Sequence, residues 1–171
     1  MPVEIVREDE DLPSDYPAEP ADLSPAAQAI DATAVWARIE QWIIRRWPAR
    51  EVQWITEGEG YFVPRLQPAE LTKAEQWNGK DWIEVQPDPA PMGLYLNHGT
   101  HRLTYQVGEA EPPAPVMRAY IRLAEYWAEV QPEGGATSVS DGDYSFTRSA
   151  NAVARALQYS GAADLLRRYR S

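Results

Sequence analysis

Apolar positions change period several times along the chain, and each change marks a different element. Trp36, Ile39, Ile43 and Trp47 recur at helical spacing, with Trp42 beside them, and so predict one helix with a single apolar face. Ser24-Pro25 supplies its start, since a hydroxyl can cap free N–H groups and proline is tolerated in the first turn; Pro48 supplies its end. From Glu51 to Val107 the pattern turns to short β-type runs. Val52-Gln53-Trp54-Ile55 and Tyr61-Phe62-Val63 flank Glu57-Gly58-Glu59-Gly60, and Leu94-Tyr95-Leu96 and Arg102-Leu103-Thr104-Tyr105-Gln106-Val107 flank Asn97-His98-Gly99-Thr100. Between them, Gln76-Trp77 and Asp81-Trp82-Ile83-Glu84-Val85 flank Asn78-Gly79. Each reads as a hairpin, and Asn78-Gly79 is the strongest signal because both residues accept positive φ.

Helical spacing returns after Pro112, Pro113 and Pro115, over about 115–130. Val116, Tyr120, Leu123 and Trp127 form one ridge, Met117, Ile121, Ala124 and Ala128 the next, and Arg118, Arg122, Glu125 and Glu129 the opposite side. Pro132 and Gly134-Gly135 stop this helix. A Gly/Ser/Asp-rich stretch over about 131–147 predicts a flexible loop, 149–159 a last helix, and Ala162 to Tyr169 a short amphipathic turn within a C-terminal segment 148–171. The fold class is therefore α+β: a helical frame of N-terminal, long central and C-terminal helices, with a small antiparallel β-sheet or sandwich inserted at about 51–107. The ridge on the central helix is expected to pack on the Trp36, Ile39 and Ile43 face as the core.

Charge divides the chain further. Of 171 residues, 16 are Lys or Arg and 26 Asp or Glu, giving a formal net charge of −10. Residues 1–25 hold eight acids and one base, Arg7, whereas 148–171 hold five Arg against Asp164. With four prolines before Ser24 and few apolar residues, 1–25 reads as an extended acidic arm, and 26–171 as a single domain. No positively charged start precedes an apolar stretch, so no signal peptide is expected, and the aliphatic runs are too short to span a bilayer, so no membrane partner is expected. Zero Cys excludes a thiol nucleophile, a Cys-ligated metal and disulfides. An acidic chain is also a poor binder of phosphate backbones, whose affinity comes from Lys and Arg.

The sequence carries no recognisable catalytic set. His98 and His101 form an H-x-x-H without a third ligand, which suits polar residues in a turn better than a metal site. Ser140-Asp141-Gly142-Asp143 lacks the length and terminal Glu of a calcium loop, and Gly58-Glu59-Gly60 lacks the rest of a phosphate loop. No Gly-x-Ser-x-Gly elbow occurs. No cofactor and no enzyme activity are expected. Seven Trp and nine Tyr are instead the unusual endowment. Trp54, Trp77 and Trp82 could stack on sugars or a peptide as a binding β module, or fill a core or a subunit contact.

Three stretches resemble the head-tail connector, or adaptor, proteins of long-tailed phages and gene transfer agents. They are Ile30 to Trp47 (IDATAVWARIEQWIIRRW) running into Arg50-Glu51-Val52-Gln53-Trp54, Pro115 to Glu129 (PVMRAYIRLAEYWAE), and Ala156 to Arg170 (ALQYSGAADLLRRYR). The resemblance covers roughly 30–170 and not the acidic arm. It implies a structural subunit of the particle neck, assembled in the host cytoplasm, with identical copies closing a dodecameric ring on the portal protein and meeting a downstream neck or tail protein. DNA is then passing cargo, which an acidic lumen repels rather than retains. Leu165, Leu166, Arg167, Arg168, Tyr169 and Arg170 are the expected portal contact, apolar anchors beside Arg. Arg118, Arg122, Glu125 and Glu129 are the expected charge pairs between neighbouring subunits, and the arm is expected to wrap a neighbour.

Overall fold

The computed structural model describes residues 1–13, 15–130, 138–141, 144–147 and 155–170, the two short stretches 138–141 and 144–147 by their backbone. Helices and antiparallel sheet combine in an α+β chain. The chain divides into two compact units, Met1–Asp15 with Ile44–Glu111, and Tyr16–Ile43 with Pro112–Ser171.

The first unit is a six-stranded sheet. Its strands are β1 (Glu4–Glu10), β2 (Arg50–Phe62), β3 (Ala69–Trp77), β4 (Trp82–Glu84), β5 (Asp88–Ala90) and β6 (Gly93–Val107). The order is β1-β2-β6-β3-β4, with β5 also on β6, and every pairing is antiparallel. The Asn78-Gly79 hairpin forms as expected and sets Trp77 opposite Trp82.

The other two expected hairpins do not form. Glu57 to Gly60 and Asn97 to Thr100 lie inside β2 and β6 and face each other, Glu57 against Thr100 and Gly58 against Gly99. The register advances by two residues in β2 and three in β6 between the pairs Gly58–Gly99 and Gly60–Leu96. That extra residue is a β-bulge, and it reverses the alternation of β6, so that His101, Leu103, Tyr105 and Val107 on one side of it and Leu96 on the other are all buried. Glycines with positive φ and a break in alternation look like a turn in sequence, and here they bend a continuous ribbon.

Val52, Trp54, Phe62, Leu66, Ala74, Leu96, Leu103, Tyr105 and Val107 form the core of this unit, and Val3 and Ile5 of the N-terminal segment pack against it. The segment 1–25 is thus held by its own chain over Glu4–Glu10, as an edge strand. Gly58 explains how. A Cβ there would sit 2.4 Å from the Pro2 carbonyl oxygen, and its φ of 123° disfavours a side chain, so the N-terminal backbone crosses at a point only glycine leaves open.

The second unit contains α1 (Pro25–Gln28), α2 (Ala32–Ile43), α3 (Ala114–Val130), α4 (Ala156–Tyr159) and α5 (Ala162–Leu166), followed by a 3-10 turn over Arg167–Tyr169. Ser24 caps α1 as expected, its Oγ accepting from the Ala27 N–H at 3.2 Å. The single helix expected up to Pro48 is instead two, and the second ends at Ile43 because Ile44 takes a left-handed φ of 56°. Trp47 therefore lies beyond the helix, buried in the sheet unit. The expected core is present. Val35, Trp36, Ile39 and Ile43 are buried, as are Val116, Tyr120 and Leu123, with the Trp36 and Tyr120 rings 4.9 Å apart. Trp127 is half-buried.

The expected loop over 131–147 contains a two-stranded ribbon, β7 (Ser138–Asp141) with β8 (Tyr144–Thr147). Gly142 and Asp143 of the weighed calcium loop lie outside the described residues, as does 148–154 at the start of the expected last helix. Among the described residues no helix is long and apolar enough to cross a membrane.

Candidate partner-binding surfaces

The C-terminal surface is built on α5 and the 3-10 turn. Their short helical geometry sends Leu166 inward, where it is fully buried, and leaves Arg167, Arg168 and Arg170 exposed with Leu165 and Tyr169 half-buried. The Arg168 guanidinium lies 5.1 Å from the Tyr169 ring centre, and that of Arg170 lies 4.6 Å from the Trp42 ring centre. Both are within range for cation–π attraction. The six residues expected as one contact thus divide: five reach the surface and Leu166 belongs to the core.

The four charged residues of α3 divide as well. Arg118 and Glu129 are exposed. Arg122, also exposed, donates from Nη1 to the Gly161 carbonyl at 3.1 Å, tying α3 to the entry of α5. Glu125 accepts from the Ser24 backbone N–H and from its Oγ, each at 2.7 Å, and these two bonds hold its carboxyl below the usual carboxylate range. Glu125 therefore completes the cap of α1, an internal role its place on the charged side of α3 does not reveal.

On the sheet unit, the three tryptophans weighed as a platform have different surroundings. Trp54 is fully buried against Phe62 and Tyr105, with ring centres 5.8 and 5.3 Å away, and so is a core residue. Trp77 and Trp82 pair across the hairpin at 5.4 Å, Trp77 being 41% exposed and Trp82 carrying the Arg102 guanidinium over its ring at 4.7 Å. Arg102 also donates to Glu75 at 2.7 Å, and Lys73 lies 2.9 Å from the same carboxylate. These bonds lower the Glu75 carboxyl to about 2. The two histidines are not brought together: His98 is exposed, whereas His101 is buried. Burial pushes the His101 imidazole below its ordinary value.

A charged cluster escapes sequence reading altogether. Glu10 of β1 accepts from Arg46 Nε and Nη2, the latter at 2.9 Å, and from Arg50 Nη1 at 3.1 Å, while Glu8 pairs with Arg65. Three bases of the sheet unit thus pair with two acids of the expected extended arm. The usable signal was the alternation of Val3 and Ile5 with Glu4, a β pattern hidden in an acidic, proline-containing stretch.

No family profile and no curated protein sequence matches the chain. Solved structures do. A chain in the neck of an empty gene transfer agent (GTA) particle, computed with C6 symmetry, matches at a TM-score of 0.53 and 14% identity, over 100% of this chain and 96% of that one. A chain in the neck of a native GTA particle, computed with C12 symmetry, matches at 0.53 and 15% identity, over 87% of this chain and 84% of that one. A chain of the virion of a native GTA particle gives 0.54 and 13%, over 100% and 96%. The chain shares its fold with chains of gene transfer agent particles.

Proposed function

We propose that this protein is a structural head-tail connector, or adaptor, subunit of the neck of a phage or gene transfer agent particle. The observation that carries the reading is the fold, shared over nearly the full length of both chains with a chain from a GTA neck. In this reading, copies close into a ring, twelve by the family resemblance, on the portal of the filled head. The helical units form the frame and the sheet units the insertion. A ring requires heterologous contacts, so each copy presents two different faces.

The charge distribution suits the role. A chain of net charge −10 repels the DNA it surrounds, and duplex DNA passes as cargo. Leu165, Arg167, Arg168, Tyr169 and Arg170 are the proposed portal contact, and Arg118, Arg122 and Glu129 the proposed contacts between neighbours. Assembly takes place in the host cytoplasm, and a downstream neck or tail protein completes the joint. No catalytic step is assigned to the chain.

Because Leu166 and Ala162 are core residues, truncation of the C-terminus would disturb folding, and charge reversal is the cleaner test. The triple variant Arg167→Glu, Arg168→Glu, Arg170→Glu is expected to fold, by circular dichroism, and to lose co-purification with portal. Undiminished portal binding would remove this surface from the account.

A further inference from the structure

We propose that β1 is an exchangeable strand: in the assembled ring, β1 of one copy seats on β2 of the next. This inference rests on the ring reading above and adds the element that links the copies. Four observations lead to it.

The seat is built to receive a separate segment. It comprises the β2 edge, the opening over Gly58 where a Cβ would meet Pro2, and three cations, Arg46, Arg50 and Arg65, opposite Glu10 and Glu8. The Glu59 N–H also donates to the Met1 carbonyl, so the seat grips the strand to its first residue.

No turn joins β1 to β2. The chain between them includes Tyr16–Ile43, which belongs to the other compact unit. The pairing lacks the local tether of a hairpin, and the same strand supplied by another copy makes the same hydrogen bonds and ion pairs.

A hinge stands where exchange needs one. The Asp11 N–H still bonds to the Glu51 carbonyl at 3.0 Å, whereas Tyr16 is already stacked on Trp36 with its hydroxyl on Glu40. Of the described residues between these anchors, Leu12 is 93% exposed and is followed by Pro13. Opening the chain here carries the strand to another copy's β2, where the Asp11–Glu51 bond is remade, while Tyr16 stays stacked on Trp36.

The apolar share of β1 is small. Val3 and Ile5 alone pack on the core, and Val6 is 63% exposed. The strand is held chiefly by backbone bonds and ion pairs, all of which a neighbour can replace. In a closed ring every copy gives one strand and receives one, so no seat stays empty.

The absence of native cysteine makes the test direct. Asp9 and Gln53 are Cα partners across β1 and β2. Such partners lie about 4.5–5.5 Å apart, within reach of a disulfide. Rings are assembled with portal from the double variant Asp9→Cys, Gln53→Cys, and separately from an equal mixture of the two single variants. Both are checked by electron microscopy, oxidised and run on denaturing gels. Exchange predicts disulfide dimers from the mixture, each joining one Asp9→Cys copy to one Gln53→Cys copy, and from the double variant a covalent ladder extending beyond the dimer. A double variant that yields only internally bonded monomer, with no dimer from the mixture, would overturn the proposal. No disulfide in either sample would overturn it too, because the seat register itself would then be lost in the ring. Failure to form rings at all is visible before oxidation and counts instead against the ring reading.

Discussion

Single side chains in this protein take their roles from neighbours far away in sequence. Trp54 and Trp77 are alike in type and both lie on strands, yet one is enclosed and the other 41% exposed. Trp54→Ala should cost about 3–5 kcal/mol and Trp77→Ala less than about 1 kcal/mol, read from denaturant midpoints. Equal losses would show that the sheet core is assigned wrongly. Ionisable groups carry the same lesson. Glu75 has its carboxyl lowered from 4.5 to about 2 by its bonds to Arg102 and Lys73. The stabilisation this gives is complete above pH 4.5 and is lost as pH falls toward 2. His101 acts near neutrality: burial disfavours its charged form, so the unfolded chain takes up the proton more readily, and stability falls as pH drops below about 6.5. Stability measured from pH 7 downward should show both losses. Glu75→Gln should flatten the acid one and His101→Gln the one near neutrality. An unchanged profile in either variant would contradict the corresponding assignment.

At the level of elements, local signals were legible where the residues that make a structure are adjacent in sequence. Ser24-Pro25 announces α1, the Val116, Tyr120, Leu123 ridge announces α3, and Asn78-Gly79 announces its hairpin. The bulge between β2 and β6 was not legible, because whether a glycine pair turns a chain or bends it depends on the strand opposite. Ile44 was not legible either, since nothing about isoleucine foretells a left-handed φ. Two substitutions test these elements. Ser24→Ala removes both the cap of α1 and a donor to Glu125, and should lower stability by about 1 kcal/mol, the usual loss of a cap. Gly58→Ala meets the Pro2 carbonyl and an unfavourable φ, and should release the N-terminal strand. Hydrogen exchange at β1 amides should then quicken while α3 amides stay protected. Unaltered protection of β1 would mean that Gly58 is not the opening through which the strand is seated.

For the molecule as a whole, composition excluded more than it assigned. Zero Cys and the empty motif search pointed away from catalysis, and the opposite charges of the two ends pointed to contacts with direction. Composition makes the acidic arm an extended segment wrapping a neighbour, because it cannot show that Arg46, Arg50 and Arg65 converge on a seat in the same chain. The proposed portal and neighbour contacts are only partly legible. Sequence separates charged from apolar residues, but the inward turn of Leu166 and the internal bonds of Glu125 depend on packing. A chain in a neck computed with C12 symmetry shares the fold. The central claim, that copies of this chain close into a ring on a portal, is tested most directly by electron microscopy of the protein co-expressed with the portal of its own particle. The account predicts a twelve-fold ring of this chain coaxial with the portal. Portal rings without this chain would contradict it.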